Sequence, residues 1–139
     1  MKKGDIYFTP SSEMPFDIGI SALAMEDIPD AAYSYHIVRF RLHYDWDLFF
    51  RAYAFKTKHF FQQAQTLCEG SGVRYVISQS KFRKIIVNFP PLKEEQTAIG
   101  QVLFDMDQEI DQLEQELNKY EMIKQGMMQE LLTGKIRLV

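Results

Sequence analysis

Positive charge gathers with amide and hydroxyl side chains in one short stretch of this chain, Ser78-Gln79-Ser80-Lys81-Phe82-Arg83-Lys84. Arg and Gln carry the donors and acceptors that suit base edges, while Lys and Ser more often hold phosphates. Arg74 follows the loop Gly70-Ser71-Gly72, whose backbone can come close to a phosphate. Arg51, Lys56 and Lys58 fall on or between two expected short helices. The candidate nucleic-acid contacts are therefore Arg51, Lys56, Lys58, Arg74, Gln79, Lys81, Arg83 and Lys84. The competing reading of each is an ordinary solvated surface residue. Arg39 and Arg41 alternate with Val38, Phe40 and Leu42, which marks the polar face of a strand and favours the surface reading for both.

Patterns for catalysis are poor. His36, His43 and His59 have no ligand spacing with one another or with Cys68, so no metal site is expected. Gly70-Ser71-Gly72 is not followed by Lys-Ser/Thr and is not a phosphate-binding loop of the usual pattern. Acidic pairs such as Glu94/Glu95 and Asp105/Asp107 lie on a helix whose solvated face explains them. The Asp-Pro-Pro-Tyr type motif of adenine methyltransferases is absent. The chain reads as non-enzymatic, with no cofactor.

Two parts position these residues. Residues 1–91 read as mixed α and β. Strands are expected over Asp5–Thr9, Ile18–Leu23, Tyr33–Leu42, Tyr75–Ile77 and Ile85–Val87. Ser11 to Pro15 reads as a polar loop. Asp45 or Asp47 is placed to cap a helix over Leu48, Phe49, Ala52, Tyr53 and Phe55. Thr57 is placed to cap a second over Phe60, Phe61, Ala64 and Leu67, which Glu69-Gly70-Ser71-Gly72 then breaks. Ser80 would cap a single turn over Phe82. Pro90-Pro91 cannot continue a strand and marks a joint. The expected organisation is 1–91, a long helix over 92–133, and a tail over 134–139.

The helix is marked by two apolar rows. Ile99, Met106, Leu113, Tyr120 and Met127 step by seven, as do Leu103, Ile110, Leu117 and Leu131, with Lys124 in the remaining slot. The rows are offset by four and three, the a/d seam of a coiled coil. A helix over Leu92–Leu132 would run roughly 60 Å at 1.5 Å per residue. Such a stripe needs a partner helix. Lys124 in the seam either sets register and orientation or snorkels outward where the seam frays. Gly126 lowers local helix stability by about 1 kcal/mol relative to Ala.

The net charge of −3 conceals an asymmetry. Residues 1–91 hold 11 Lys/Arg and 9 Asp/Glu, while residues 92–132 hold 3 and 10. The first part is thus net +2 and the helix net −7. Phosphates repel an acidic helix, so any nucleic acid is expected on residues 1–91. With 46% hydrophobic and 14% aromatic residues the chain can bury a core. No apolar run reaches the roughly 18 residues of a membrane span. Cys68 is alone, which makes a reducing, cytoplasmic setting the default.

A more specific likeness rests on an ordered set of residues. Pro90-Pro91-Leu92-Lys93-Glu94-Glu95-Gln96-x-x-Ile99 is followed by Leu103, Asp107, Ile110, Leu113, Lys124 and Met128. The set ends in Leu131-Leu132-Thr133-Gly134-Lys135-Ile136-Arg137. Together they resemble the conserved helical region of specificity (S) subunits of type I restriction–modification systems. Upstream, Gly4-Asp5-Ile6-Tyr7-Phe8, Ser11-Ser12-Glu13, Gly19, Gly70-Ser71-Gly72, Ile77 and Phe82 are similar to the later part of a target recognition domain.

The resemblance implies an α+β fold: a small mixed α/β part of a target recognition domain, then one long coiled-coil-forming helix. It implies DNA, methyltransferase (M) subunits and another S chain or a second copy as partners. It implies no catalytic site and no membrane. S subunits usually carry two recognition domains and two antiparallel spacer helices, whereas this sequence holds one helix and the later part of one domain. Two functions follow as expectations. One is a half or truncated S subunit that pairs through its helix and reads DNA. The other is a non-reading form that modulates assembly. The aromatic content, including Phe8, Phe16, Phe40, Phe49, Phe60, Phe61 and Phe89, is more than 91 residues are expected to bury.

Overall fold

The computed structural model describes all 139 residues. The chain divides into two units, Met1–Val102 and Leu103–Val139. The first is α+β, and the long C-terminal helix runs from it through the second.

Two three-stranded antiparallel sheets form the first unit. In one, β1 (Ile6–Phe8) lies between β3 (Ser21–Leu23) and β4 (Val38–Phe40). Every residue of β1 is buried, as suits a central strand covered on both faces. The registers Ile6↔Leu23 and Ile6↔Phe40 set both neighbours. In the other sheet, β6 (Arg74–Val76) lies between β2 (Ser11–Ser12) and β5 (Glu69–Ser71).

Several expected strands shorten for identifiable reasons. Tyr33–Leu42 contracts to Val38–Phe40 because its partner β1 is itself only three residues long. Ahead of it, Ser34 turns the chain: its carbonyl accepts from the Ile37 N–H at 2.9 Å and its hydroxyl from the His36 N–H at 3.2 Å. Ile18–Leu23 is a regular strand only from Ser21: Gly19, at φ +87°, still donates to the Thr9 carbonyl at 2.8 Å, but Ile18 turns inward and is wholly buried. Ser11–Ser12, expected in a loop, pairs with Val76 and Tyr75. The Glu69–Gly72 breaker becomes half of a hairpin. Ser71 pairs with Arg74 across a two-residue loop, with Gly72 at φ +63°, the left-handed position such loops require.

Ile85–Val87 forms no strand. The Gln63 side chain serves as its partner instead, donating to the Ile86 carbonyl at 2.9 Å and accepting from the Ile86 N–H at 3.0 Å. Two of the three expected helix caps hold. Asp47 accepts from the Phe50 N–H ahead of α1 (Leu48–Tyr53), and Thr57 from the Phe60 N–H ahead of α2 (Lys58–Leu67). The single turn α3 (Gln79–Phe82) is capped by Ser78 rather than Ser80. The Ser78 oxygen accepts from the Lys81 N–H, and its backbone is extended as a cap requires.

The core centres on Phe8. The rings of Phe82, Phe55, Phe40 and Phe60 lie 4.9–6.0 Å from it, mostly edge-on. Trp46 stacks beside Phe55 and Phe89. Of the seven phenylalanines singled out from the sequence, Phe16 and Phe89 remain exposed, at 57% and 46%.

The helix α4 (Lys93–Leu132) starts one residue later than expected. Its first turns are held firmly against the first unit. Gln96 is 3% exposed; its amide donates to the Pro90 carbonyl and its oxygen accepts from the Asp47 N–H. Thr97 donates to the Asp47 carboxylate, and Lys93 pairs with Asp45, whose pKa is lowered by that pairing. Gly100 lets the helix backbone approach α1: a β-carbon there would sit 2.5 Å from the Phe50 nitrogen.

No helix is long and apolar enough to cross a membrane.

Candidate nucleic-acid interface

Phe82 fixes where α3 lies. It is buried against Phe8 and Phe40, which draws the turn onto the first sheet beside β4. Gln79 and Arg83, four apart across that turn, then share a side. β4 alternates, with Val38 and Phe40 half-buried and Arg39 outward. Between β4 and α3 opens a cleft of 420 Å³ lined by Val38, Arg39, Phe40, Arg41, His43, Gln79 and Arg83.

Two of those lining residues, Arg41 and Arg39, meet Asp5, which is 1% exposed. Arg41 donates to both carboxylate oxygens, Nε to Oδ1 at 2.6 Å and Nη2 to Oδ2 at 2.7 Å. The Lys2 N–H adds a bond at 3.3 Å, and Arg39 Nη1 stands 4.0 Å away. The Arg41 fork holds the Asp5 carboxyl below its ordinary pKa against the opposing effect of burial, and raises that of Arg41. The acid thus fixes one guanidinium in the wall of the cleft. Gln79, Arg83 and His43 use their side chains in no hydrogen bond or ion pair within the chain.

The other sequence candidates lie elsewhere. Arg51 is turned inward, its guanidinium donating to the carbonyls of Gly4 and Trp46. Those bonds brace α1 against the chain start and leave little of the group for an outside partner. Arg74 donates to Ser11 Oγ at 3.1 Å and lies 3.0 Å from His36 Nδ1. Lys81 pairs with Glu69 at 2.6 Å. Lys56 stands over the Tyr53 ring. Lys58 is exposed at the start of α2. Lys84 borders a separate depression with His59, Gln62, Gln63, Thr66 and Leu67. The structure therefore brings Gln79 and Arg83 together with Arg39 and Arg41, and leaves the remaining candidates apart from them. Sequence reasoning misses the two strand arginines, because alternation alone marks an outward face and not what faces it. The one available signal is two arginines spaced i, i+2 on one strand.

The helix residues have a different setting. Ile99 packs against the core of the first unit, and Leu103 is half-buried. From there the seam is bare. Met106, Ile110, Leu113, Leu117, Tyr120 and Met127 are each 50–58% exposed, and Leu131 is half-buried. Gly134, at φ +71°, ends the second unit's helix, and Lys135 reaches back to Glu130 at 2.6 Å. No three metal-capable side chains gather anywhere in the chain.

The family model of the type I restriction modification DNA specificity domain matches residues 1–122. The match covers the whole first unit and the greater part of α4. No curated protein matches the chain.

Proposed function

The chain belongs to the type I restriction modification DNA specificity domain family, and we propose that it is a sequence-specificity component without catalytic residues of its own. In this reading residues 1–91 approach DNA, while α4 pairs with a second helix and docks methyltransferase subunits. The second helix comes from another S chain or a second copy. The single observation carrying the proposal is the reach of the family match across both the mixed α/β unit and most of the helix. The charge split supports the division of labour, since the first part is net +2 and the helix net −7. The clamped start of α4 supports it further, because Gln96, Thr97 and Gly100 tie the reader to the helix that would carry its partners.

The test is reconstitution with methyltransferase subunits, using this chain as the only specificity component. Methylation at one defined sequence is the expected result. A second reading draws on the bare seam from Met106 to Met127: the chain occupies a docking helix and modulates assembly without reading DNA. A complex that assembles but methylates no defined sequence would favour it.

A further inference from the structure

The cleft between β4 and α3 gathers three arginines, against which the nearby chain sets a single carboxylate, Asp5. Arg39, Arg41 and Arg83 line it, and no carboxylate forms part of its wall. Asp5, outside that lining, has both oxygens committed to Arg41. Arg39 stands 4.0 Å from that acid, and Arg83 has no partner in the chain. Elsewhere the basic side chains are occupied or scattered: Arg51 by carbonyls, Arg74 by Ser11, Lys81 by Glu69. Shape adds a second constraint. The cleft is concave, and the half-buried Val38 and Phe40 form part of its lining. Base edges lie recessed in the grooves of a duplex, where a protuberance reaches them and a hollow does not. The sugar–phosphate ridge is convex, charged along its phosphates and apolar on its sugars.

We propose that this cleft seats the backbone of one DNA strand, with a phosphodiester held between Arg39 and Arg83 and the deoxyribose against Val38 and Phe40. Arg41, fixed by Asp5, supplies a stationary charge, and Gln79 donates to a phosphate oxygen. The seat sets the register of the domain on the duplex and reads no base. The proposal rests on DNA being the partner, as under the proposed function.

The test is fluorescence anisotropy of a fluorescein-labelled mixed-sequence duplex about three helical turns long. The full chain is titrated, alone and with methyltransferase subunits, over a series of salt concentrations. Arg39→Ala with Arg83→Ala should weaken binding by about tenfold, equally on unrelated sequences, and lower the salt slope by roughly one unit. Arg39→Lys with Arg83→Lys should restore most of that slope, because a phosphate accepts a point charge where a base edge needs the fork. Arg39→Gln with Arg83→Gln should not, and it provides the measurement if the alanine pair fails to fold. Unchanged binding by the alanine and glutamine pairs, beside salt-sensitive binding by the parent chain, overturns the cleft and leaves the family-level function standing. Loss confined to particular sequences also overturns it, in favour of base reading. A parent chain that binds no DNA in either setting removes both.

Discussion

Arg41 and Asp5 meet as a two-pronged pair across 36 positions of sequence, with the carboxylate buried and the guanidinium half exposed. β-sheet pairing makes the meeting possible: Ile6↔Phe40 places the residues just outside that register side by side. The exposed partner weakens the pair relative to a fully buried one. The buried partner makes its loss costly, because Asp5 has no solvent to replace Arg41. Asp5→Asn is expected to destabilise the first unit by about 1–3 kcal/mol at neutral pH. Because the folded-state pKa of Asp5 is lowered, its contribution is present above the unfolded value and is lost as pH falls through the folded value. Urea unfolding of the parent chain should therefore weaken below about pH 4, and that acid limb should be shallower in Asp5→Asn. Equal limbs in both proteins would show that the pair carries no acid sensitivity.

Two glycines of the same helix should respond to alanine in opposite ways. Helix propensity alone favours alanine by about 1 kcal/mol at each. At Gly100 the new β-carbon would lie 2.5 Å from the Phe50 nitrogen and 2.9 Å from the Phe49 Cβ. Backbone cannot yield there as a side-chain tip could, so Gly100→Ala should cost about 1–3 kcal/mol of thermal stability. At Gly126 nothing lies within 4 Å, so Gly126→Ala should gain up to about 1 kcal/mol. Paired unfolding curves decide it, and stabilisation by Gly100→Ala would show that α4 does not approach α1 so closely.

The sequence speaks most clearly where structure is local and repetitive. The long helix is legible to within one residue of its observed start because the seven-residue repeat accumulates over ten positions. The Asp47 and Thr57 caps are legible because a cap answers to a backbone N–H three residues on. Ser78 displaces Ser80 because burial of Phe82, a tertiary fact, fixes where the turn begins. Strands fare worst. Each is three residues or fewer, all but the Glu69–Val76 hairpin find their partners far along the chain, and for Ile86 the partner is a glutamine side chain. The cleft shows the same division. Charge clustering marks Gln79 and Arg83, but only the folded chain brings Arg39 and Arg41 into the lining of the same cleft.

The bare seam carries a prediction about assembly. Ile110 and Leu117 occupy one row at 50% and 58% exposure, and Met106 and Leu113 the other. Apolar residues so spaced are stable in water when a second helix covers them. The expected state of the isolated chain is an antiparallel pair, in which the acidic outer faces lie apart. Ile110→Asp with Leu117→Asp places two charges in that seam at a cost of several kcal/mol. Sedimentation velocity should report a shift from dimer to monomer, or aggregation. A parent chain that sediments as a monomer at high concentration would end the idea.

DNA affinity is expected to divide unevenly along the chain. Residues 92–132 hold 10 acidic and 3 basic side chains, so a phosphate backbone meets net repulsion along them. Residues 1–91 are net positive, and beyond the cleft Lys81 and Lys84 lie on the same stretch as Arg83. Removing Lys81, Arg83 and Lys84 together should weaken binding and reduce the salt slope, by up to roughly one unit for each phosphate no longer neutralised. The three changes should not contribute equally. Lys81 already pairs with Glu69 at 2.6 Å and must leave that partner to reach a phosphate, whereas Lys84 and Arg83 have none to leave. Single substitutions should therefore weaken binding more for Arg83→Ala and Lys84→Ala than for Lys81→Ala. A peptide spanning residues 92–139 is the counterpart measurement, and binding by it as tight as that of the whole chain would place the affinity on the helix instead.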